Sequence, residues 1–143
     1  MEGSSIKAHK ASNTLIIAKN ANYAKPINYK VNLIAGTNAR IMEKISIDGD
    51  LELGKGAQVT GDVRAKHVIL GPWSVIRGNL TTTGDLVALD HSRVTGAVRC
   101  GGSAMIRPHV AFGSLEATGL VEVYGRRPAR NIVAKTVATK TDR

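Results

Sequence analysis

Between residues 31 and 125 apolar positions alternate with polar ones in runs of only three to five residues, and many of the runs end at a glycine, proline or aspartate. The pattern is too short for amphipathic helices and has the two-residue period of half-buried strands. One phrase, apolar-x-Gly-x-apolar, recurs as Ile47-Asp48-Gly49-Asp50-Leu51, Val59-Thr60-Gly61-Asp62-Val63, Ile76-Arg77-Gly78-Asn79-Leu80 and Val94-Thr95-Gly96-Ala97-Val98. Val110-Ala111-Phe112-Gly113-Ser114-Leu115 is a looser copy. From Gly61 the glycines of this phrase step by 17, 18 and 17 residues. A second unit, a short apolar strand and a turn, falls between the copies as Leu51-Glu52-Leu53-Gly54, Val68-Ile69-Leu70-Gly71, Leu86-Val87-Ala88-Leu89 and Met105-Ile106-Arg107-Pro108. Leu53, Leu70, Ala88 and Met105 each precede the next phrase glycine by eight residues, so the two units keep one phase.

A period of 17 to 18 residues is too short for helical repeats and suits three short strands per turn of a parallel β-helix. Equivalent apolar side chains then stack at the inter-strand spacing of about 4.8 Å and fill a narrow interior. Composition agrees, because Trp73, Phe112, Tyr23, Tyr29 and Tyr124 are the only aromatic residues of 143 and a core must be aliphatic. The 15 glycines are expected at corners, in backbone conformations closed to other residues. The expected body is an all-β, single-stranded β-helix of about five to six coils over residues 31–125, a rod on the order of 25 Å long.

Charge divides the chain in the same places. Residues 1–30 sum to +4, residues 126–143 to +5, and the centre to zero. This distribution predicts a neutral folded body between two flexible basic tails, 1–30 and 126–143. No segment has the order of a signal peptide or the length of a membrane-spanning helix, which leads to the expectation of a cytoplasmic protein. Cys100 is the lone cysteine and reads as a small core residue, excluding an internal disulfide or a Cys-based zinc site.

The successive phrases Ile-Asp-Gly-Asp-Leu, Val-Thr-Gly-Asp-Val-Arg-Ala and Ile-Arg-Gly-Asn-Leu-Thr-Thr resemble the bactofilins, polymer-forming bacterial cytoskeletal proteins, over about residues 33–125. The resemblance implies a right-handed β-helix that joins end to end into nonpolar filaments without nucleotide. It also implies that an aromatic residue late in the core lies near the C-terminal association surface. The nearest match is Phe112 in Ala111-Phe112-Gly113, where the aromatic directly precedes the glycine. Independently of any family, a β-helix has a strand edge and an open core at each end, and such ends are capped or paired. Leu33, Ile34 and Ile41 are the candidates for the N-terminal joint, and Phe112, Leu120, Val121, Val123 and Tyr124 for the C-terminal one.

No catalytic, cofactor or metal site is expected. His91 and His109 are one coil apart and could stack, but no carboxylate or thiol is placed to complete a ligand set. Left-handed β-helix acyltransferases also have about 18 residues per coil, yet the six-residue phasing of that repeat does not persist here. Trp73 is expected at an exposed corner. The run Leu15, Ile16 and Ile17 beside Lys19 reads either as a weak membrane or partner contact, strengthened by multivalency in a polymer, or as a further strand along the rod. Arg126, Arg127, Arg130, Lys135, Lys140 and Arg143 are candidate contacts for DNA, anionic lipid or acidic client proteins. The function expected from all this is a self-assembling scaffold that recruits clients, with a DNA-binding or chromosome-organising module as the alternative.

Overall fold

The computed structural model describes residues 6–125 and 132–140, which contain eighteen β-strands in one continuous sheet. The first strands are β1 (Ile6–His9), β2 (Thr14–Ile17), β3 (Asn22–Tyr23) and β4 (Ile27–Tyr29). The next coils are β5 (Asn32–Ala35), β6 (Arg40–Ile41), β7 (Ile45–Ile47), then β8 (Leu51–Leu53), β9 (Gln58–Val59), β10 (Val63–Ala65), then β11 (Val68–Leu70), β12 (Val75–Ile76), β13 (Leu80–Thr82). Above them lie β14 (Leu86–Ala88), β15 (Arg93–Cys100), β16 (Ala104–Ile106), β17 (Ala111–Tyr124) and β18 (Ile132–Lys140). The long strands β15 and β17 each run through a corner, marked by register shifts between Val94 and Ala97 and between Ala117 and Leu120.

Every strand from β2 onward pairs in parallel with its equivalent one coil away, giving a three-sided β-solenoid of about six turns. On the first side the rungs are Leu15, Leu33, Leu51, Val68, Leu86, Ala104 and Val121. The second side stacks Tyr23, Ile41 and Val59, and above them Ile76, Val94 and Phe112. The third stacks Ile27, Ile45, Val63, Leu80, Val98 and Leu115. These aliphatic columns form one core, with Ile17, Leu33, Val59, Ile76, Leu80 and Val121 fully buried. Each such side chain contributes about 1.5–3 kcal/mol through removal from water. The expected interior of Val, Ile, Leu and Ala is therefore present, and Cys100 lies within it, its thiol donating to the carbonyls of Gly84 at 3.3 Å and Ser103 at 3.4 Å.

The glycines serve a different purpose from the one expected. Among the described glycines only Gly56 and Gly125 have positive φ. Gly49, Gly78, Gly96 and Gly102 are required by close approach of the coil beneath. A Cβ there would run into the side-chain oxygens of Asn32, Asp62, Asn79 and Asp85 respectively. Those oxygens accept backbone N–H groups of the next coil: Asp50 to Asn32 at 2.8 Å, Asn79 to Asp62, Ala97 to Asn79 and Ser103 to Asp85 at 2.9 Å. The Gly-Asx step of the repeat thus joins two functions. The Asx residue caps the coil above it, and the glycine leaves room for the cap from below.

Both expected tail boundaries move. Thr14–Ile17 pairs with Asn32–Ala35, and Ile27–Tyr29 with Ile45–Ile47, so the solenoid begins one coil before residue 31. Among the described residues this coil has no coil beneath it to crowd its corners, and the chain from Ser4 to Ala35 contains no glycine. At the other end Ile132–Lys140 pairs with Leu115–Tyr124 and continues the body past residue 125.

Candidate functional site: the ends of the solenoid

The N-terminal end differs on its three sides. On the first side β1 folds back through a 3-10 turn (Lys10–Ser12) and pairs antiparallel with β2, Ile6 opposite Ile17 and His9 opposite Thr14. The turn is closed by Asn13, whose φ is 53°, and by the His9 Nδ1 to Ser12 Oγ contact at 2.7 Å. On the other two sides β3 and β4 pair only with β6 and β7 among the described residues, so their outer edges are free. An apolar recess of about 310 Å³ opens at this end, lined chiefly by Ile6, Leu15, Tyr23, Tyr29 and Val31. Tyr29 occupies a rung opposite the buried Ile47, yet is 53% exposed because no described strand covers it.

At the C-terminal end β18 pairs with β17 alone, leaving nine residues with an unpaired outer edge among the described residues. Val137 stacks on the buried Val121 and is itself 44% exposed, an uncovered end of the aliphatic column. Each end therefore presents unmet backbone hydrogen-bonding groups around exposed apolar side chains, the combination that favours strand addition.

Several residues expected at the joints lie further inside. Leu33 and Ile41 are buried rungs with coils on both sides, because the first coil covers them. Ile34 points outward between Ile16 and Glu52. Val121 and Val123 are buried between β16 and β18, and Leu120 is exposed. Tyr124 is half-buried, with the Arg107 guanidinium 4.9 Å from its ring centre. Phe112 is half-buried and stacks on Val94. Arg126, Arg127, Arg130 and Arg143 lie outside the described residues. Lys135 and Lys140 belong to β18 rather than to a tail. Tyr29 and Val137 were not among the expected joint residues. The pairing of Tyr23 and Tyr29 within seven residues of an otherwise aliphatic chain is the one sequence signal that marks the first.

The run Leu15, Ile16, Ile17 is a strand of the rod, with Ile17 buried and Leu15 half-buried. Only Ile16 points outward, on one line with Ile34 and, beyond Glu52, Ile69. Lys19 is exposed at the following corner.

One corner carries a column of left-handed residues: Asn20, Asn38, Gly56, Trp73, His91 and His109, with φ between 58° and 71°. The first five are each held by an N–H that donates to a carbonyl of the next coil, as from Trp73 to Asp90 at 3.2 Å and from His91 to Pro108 at 3.3 Å. Trp73 stacks on His91 with centroids 4.0 Å apart, and His91 on His109 at 4.7 Å, all within 9° of parallel. The two imidazoles meet face to face, so their lone pairs lie in separate parallel planes and do not converge on a single ion. Among the described residues no three His, Cys, Asp or Glu side chains gather to hold a metal, and no helix is long and apolar enough to cross a membrane.

Comparison with family models, with curated proteins and with solved structures gives no match.

Proposed function

We propose that this chain is a bactofilin-like cytoskeletal scaffold, without catalytic activity, that joins end to end into nonpolar filaments independently of nucleotide. The observation that carries this reading is the pair of ends left uncovered among the described residues: free outer edges on β3, β4 and β18 around the exposed core rungs Tyr29 and Val137. A second copy is the partner whose strand spacing, three-sided outline and aliphatic columns match such an end without distortion, because they are the same repeat. The resemblance of the Gly-Asx phrases to the bactofilins supports the same conclusion from the sequence. Strand pairing at the joints takes the place of a nucleotide switch. Client proteins, DNA or an anionic membrane surface engage the basic residues near the two termini, and the filament concentrates them in the cytoplasm or at the inner face of its membrane.

The test is negative-stain electron microscopy of the purified chain in buffer without nucleotide, beside Val137→Arg and Phe112→Arg. Filaments from the parent, absent or much shortened for Val137→Arg, are the expected result. Filaments lost only with Phe112→Arg shift the joint from Val137 to the side of the solenoid that carries Phe112. Discrete trimers with no filaments at any concentration overturn the scaffold reading in favour of an acyltransferase-like assembly.

A further inference from the structure

The two ends of the solenoid are not equally available, and the difference lies in β1. Among the described residues it is the one strand that runs antiparallel to its neighbour, and it occupies the outer edge of β2 where a joining copy would place its own strand. A copy arriving at this end meets two open edges, β3 and β4, and one that is taken. It also meets a recess whose wall is partly Ile6.

The seat of β1 is shallow. Of its four residues only Ile6 packs against the core, while Lys7, Ala8 and His9 are exposed. It is tied to the body by four residue pairs and a short turn (Lys10–Ser12), with few apolar contacts, which places it among the segments of low local stability. Removing β1 uncovers the rungs Leu15 and Ile17 and frees the third edge without touching the parallel pairing of β2 with β5.

We propose that the N-terminal end is a docking surface for a second copy of this chain and that β1 is its displaceable guard, so that docking requires β1 to leave the edge of β2. This rests on the filament reading above. In consequence the C-terminal end, where no described strand covers the nine residues of β18, is the unconditional joint, and the N-terminal joint limits filament growth.

The test compares the full chain with two variants by light scattering and sedimentation across a concentration series. The first joins Lys7→Cys and Ile16→Cys, which are directly opposed in the antiparallel pair, where Cα separations match those a disulfide spans. Native Cys100 is 3% exposed and stays out of the exchange. The second deletes residues 1–12. The oxidised lock is expected to stop at monomers or dimers, and the same protein after reduction to assemble as the parent does. The deletion is expected to lower the assembly threshold about tenfold. Assembly of the oxidised lock at the parent's threshold overturns the guard, and so does a deletion that raises the threshold while its far-ultraviolet circular dichroism still shows the folded sheet. If the parent, the reduced lock and the deletion all remain monomeric at every concentration, the filament reading falls and this proposal with it.

Discussion

Substituting Gly96 by alanine tests whether the corner glycines exist for clearance or for backbone freedom. Gly96 has no positive φ, so conformational preference alone makes alanine neutral or slightly stabilising, by about 0.4–1 kcal/mol. The geometry requires the opposite sign. The new Cβ meets the Asn79 side-chain oxygen, with the Gly78 carbonyl oxygen at 2.8 Å and Asn79 Cγ at 3.1 Å. The first of these can swing away only by giving up the bond it accepts from the Ala97 N–H at 2.9 Å, a loss of about 1 kcal/mol. The second is backbone and yields only if the coil shifts, which costs about 1–3 kcal/mol as overpacking. Gly96→Ala should therefore destabilise by about 2–4 kcal/mol and lower Tm by on the order of 10 °C. Thermal and urea unfolding followed by circular dichroism, in a double-mutant cycle with Asn79→Ala, measures this. Removing the Asn79 oxygen relieves part of the clash, so the double variant should be more stable than the sum of the singles predicts, by about 1 kcal/mol. A Gly96→Ala variant within about 0.5 kcal/mol of the parent, or a cycle without coupling, would falsify the clearance argument.

Two further outcomes follow from particular side chains. Ser74 and Ser92 stack on adjacent coils at the corner column of Ala57, fully buried, and neither hydroxyl has a hydrogen-bond partner. Ser74→Ala and Ser92→Ala should be neutral to stabilising, by up to about 1–3 kcal/mol each, as chemical denaturation will report; losses above about 1 kcal/mol would mean that the hydroxyls are satisfied. Trp73 is the only tryptophan, 56% exposed and stacked on His91. Its fluorescence should be red-shifted and open to acrylamide quenching in the unassembled chain, and Trp73→Ala should cost about 0.5–1.5 kcal/mol through loss of the stack; an emission typical of a buried indole would refute the corner placement.

The repeat in this chain is written in residues that answer to local geometry. Alternation in Val68-Ile69-Leu70 or Leu51-Glu52-Leu53 specifies which side chains enter the core, because successive Cβ atoms of a strand point to opposite faces. The 17 to 18 residue spacing specifies that these faces stack. The three-sided solenoid, its aliphatic interior and the burial of Cys100 were all legible from those two periods. The ends were not. A glycine marks a coil only when another coil lies beneath it, so the first coil, which among the described residues rests on β1 alone, carries none and passes for a tail. At the far end the basic residues around Ile132–Lys140 obscure an alternation that becomes a strand only because Leu115–Tyr124 offers it an edge. For the same reason Leu33 and Ile41, which on sequence grounds open the rod, lie inside it, and the exposed rungs pass to Tyr29 and Val137. The stacking of His91 on His109 follows from their one-coil spacing, whereas Trp73 joins them because register brings three left-handed corner residues into line. Periodicity determines what an interior coil looks like, because each interior coil meets the same neighbours above and below. What covers the first and last coils depends on contacts between segments with no common period, and only the folded chain decides those.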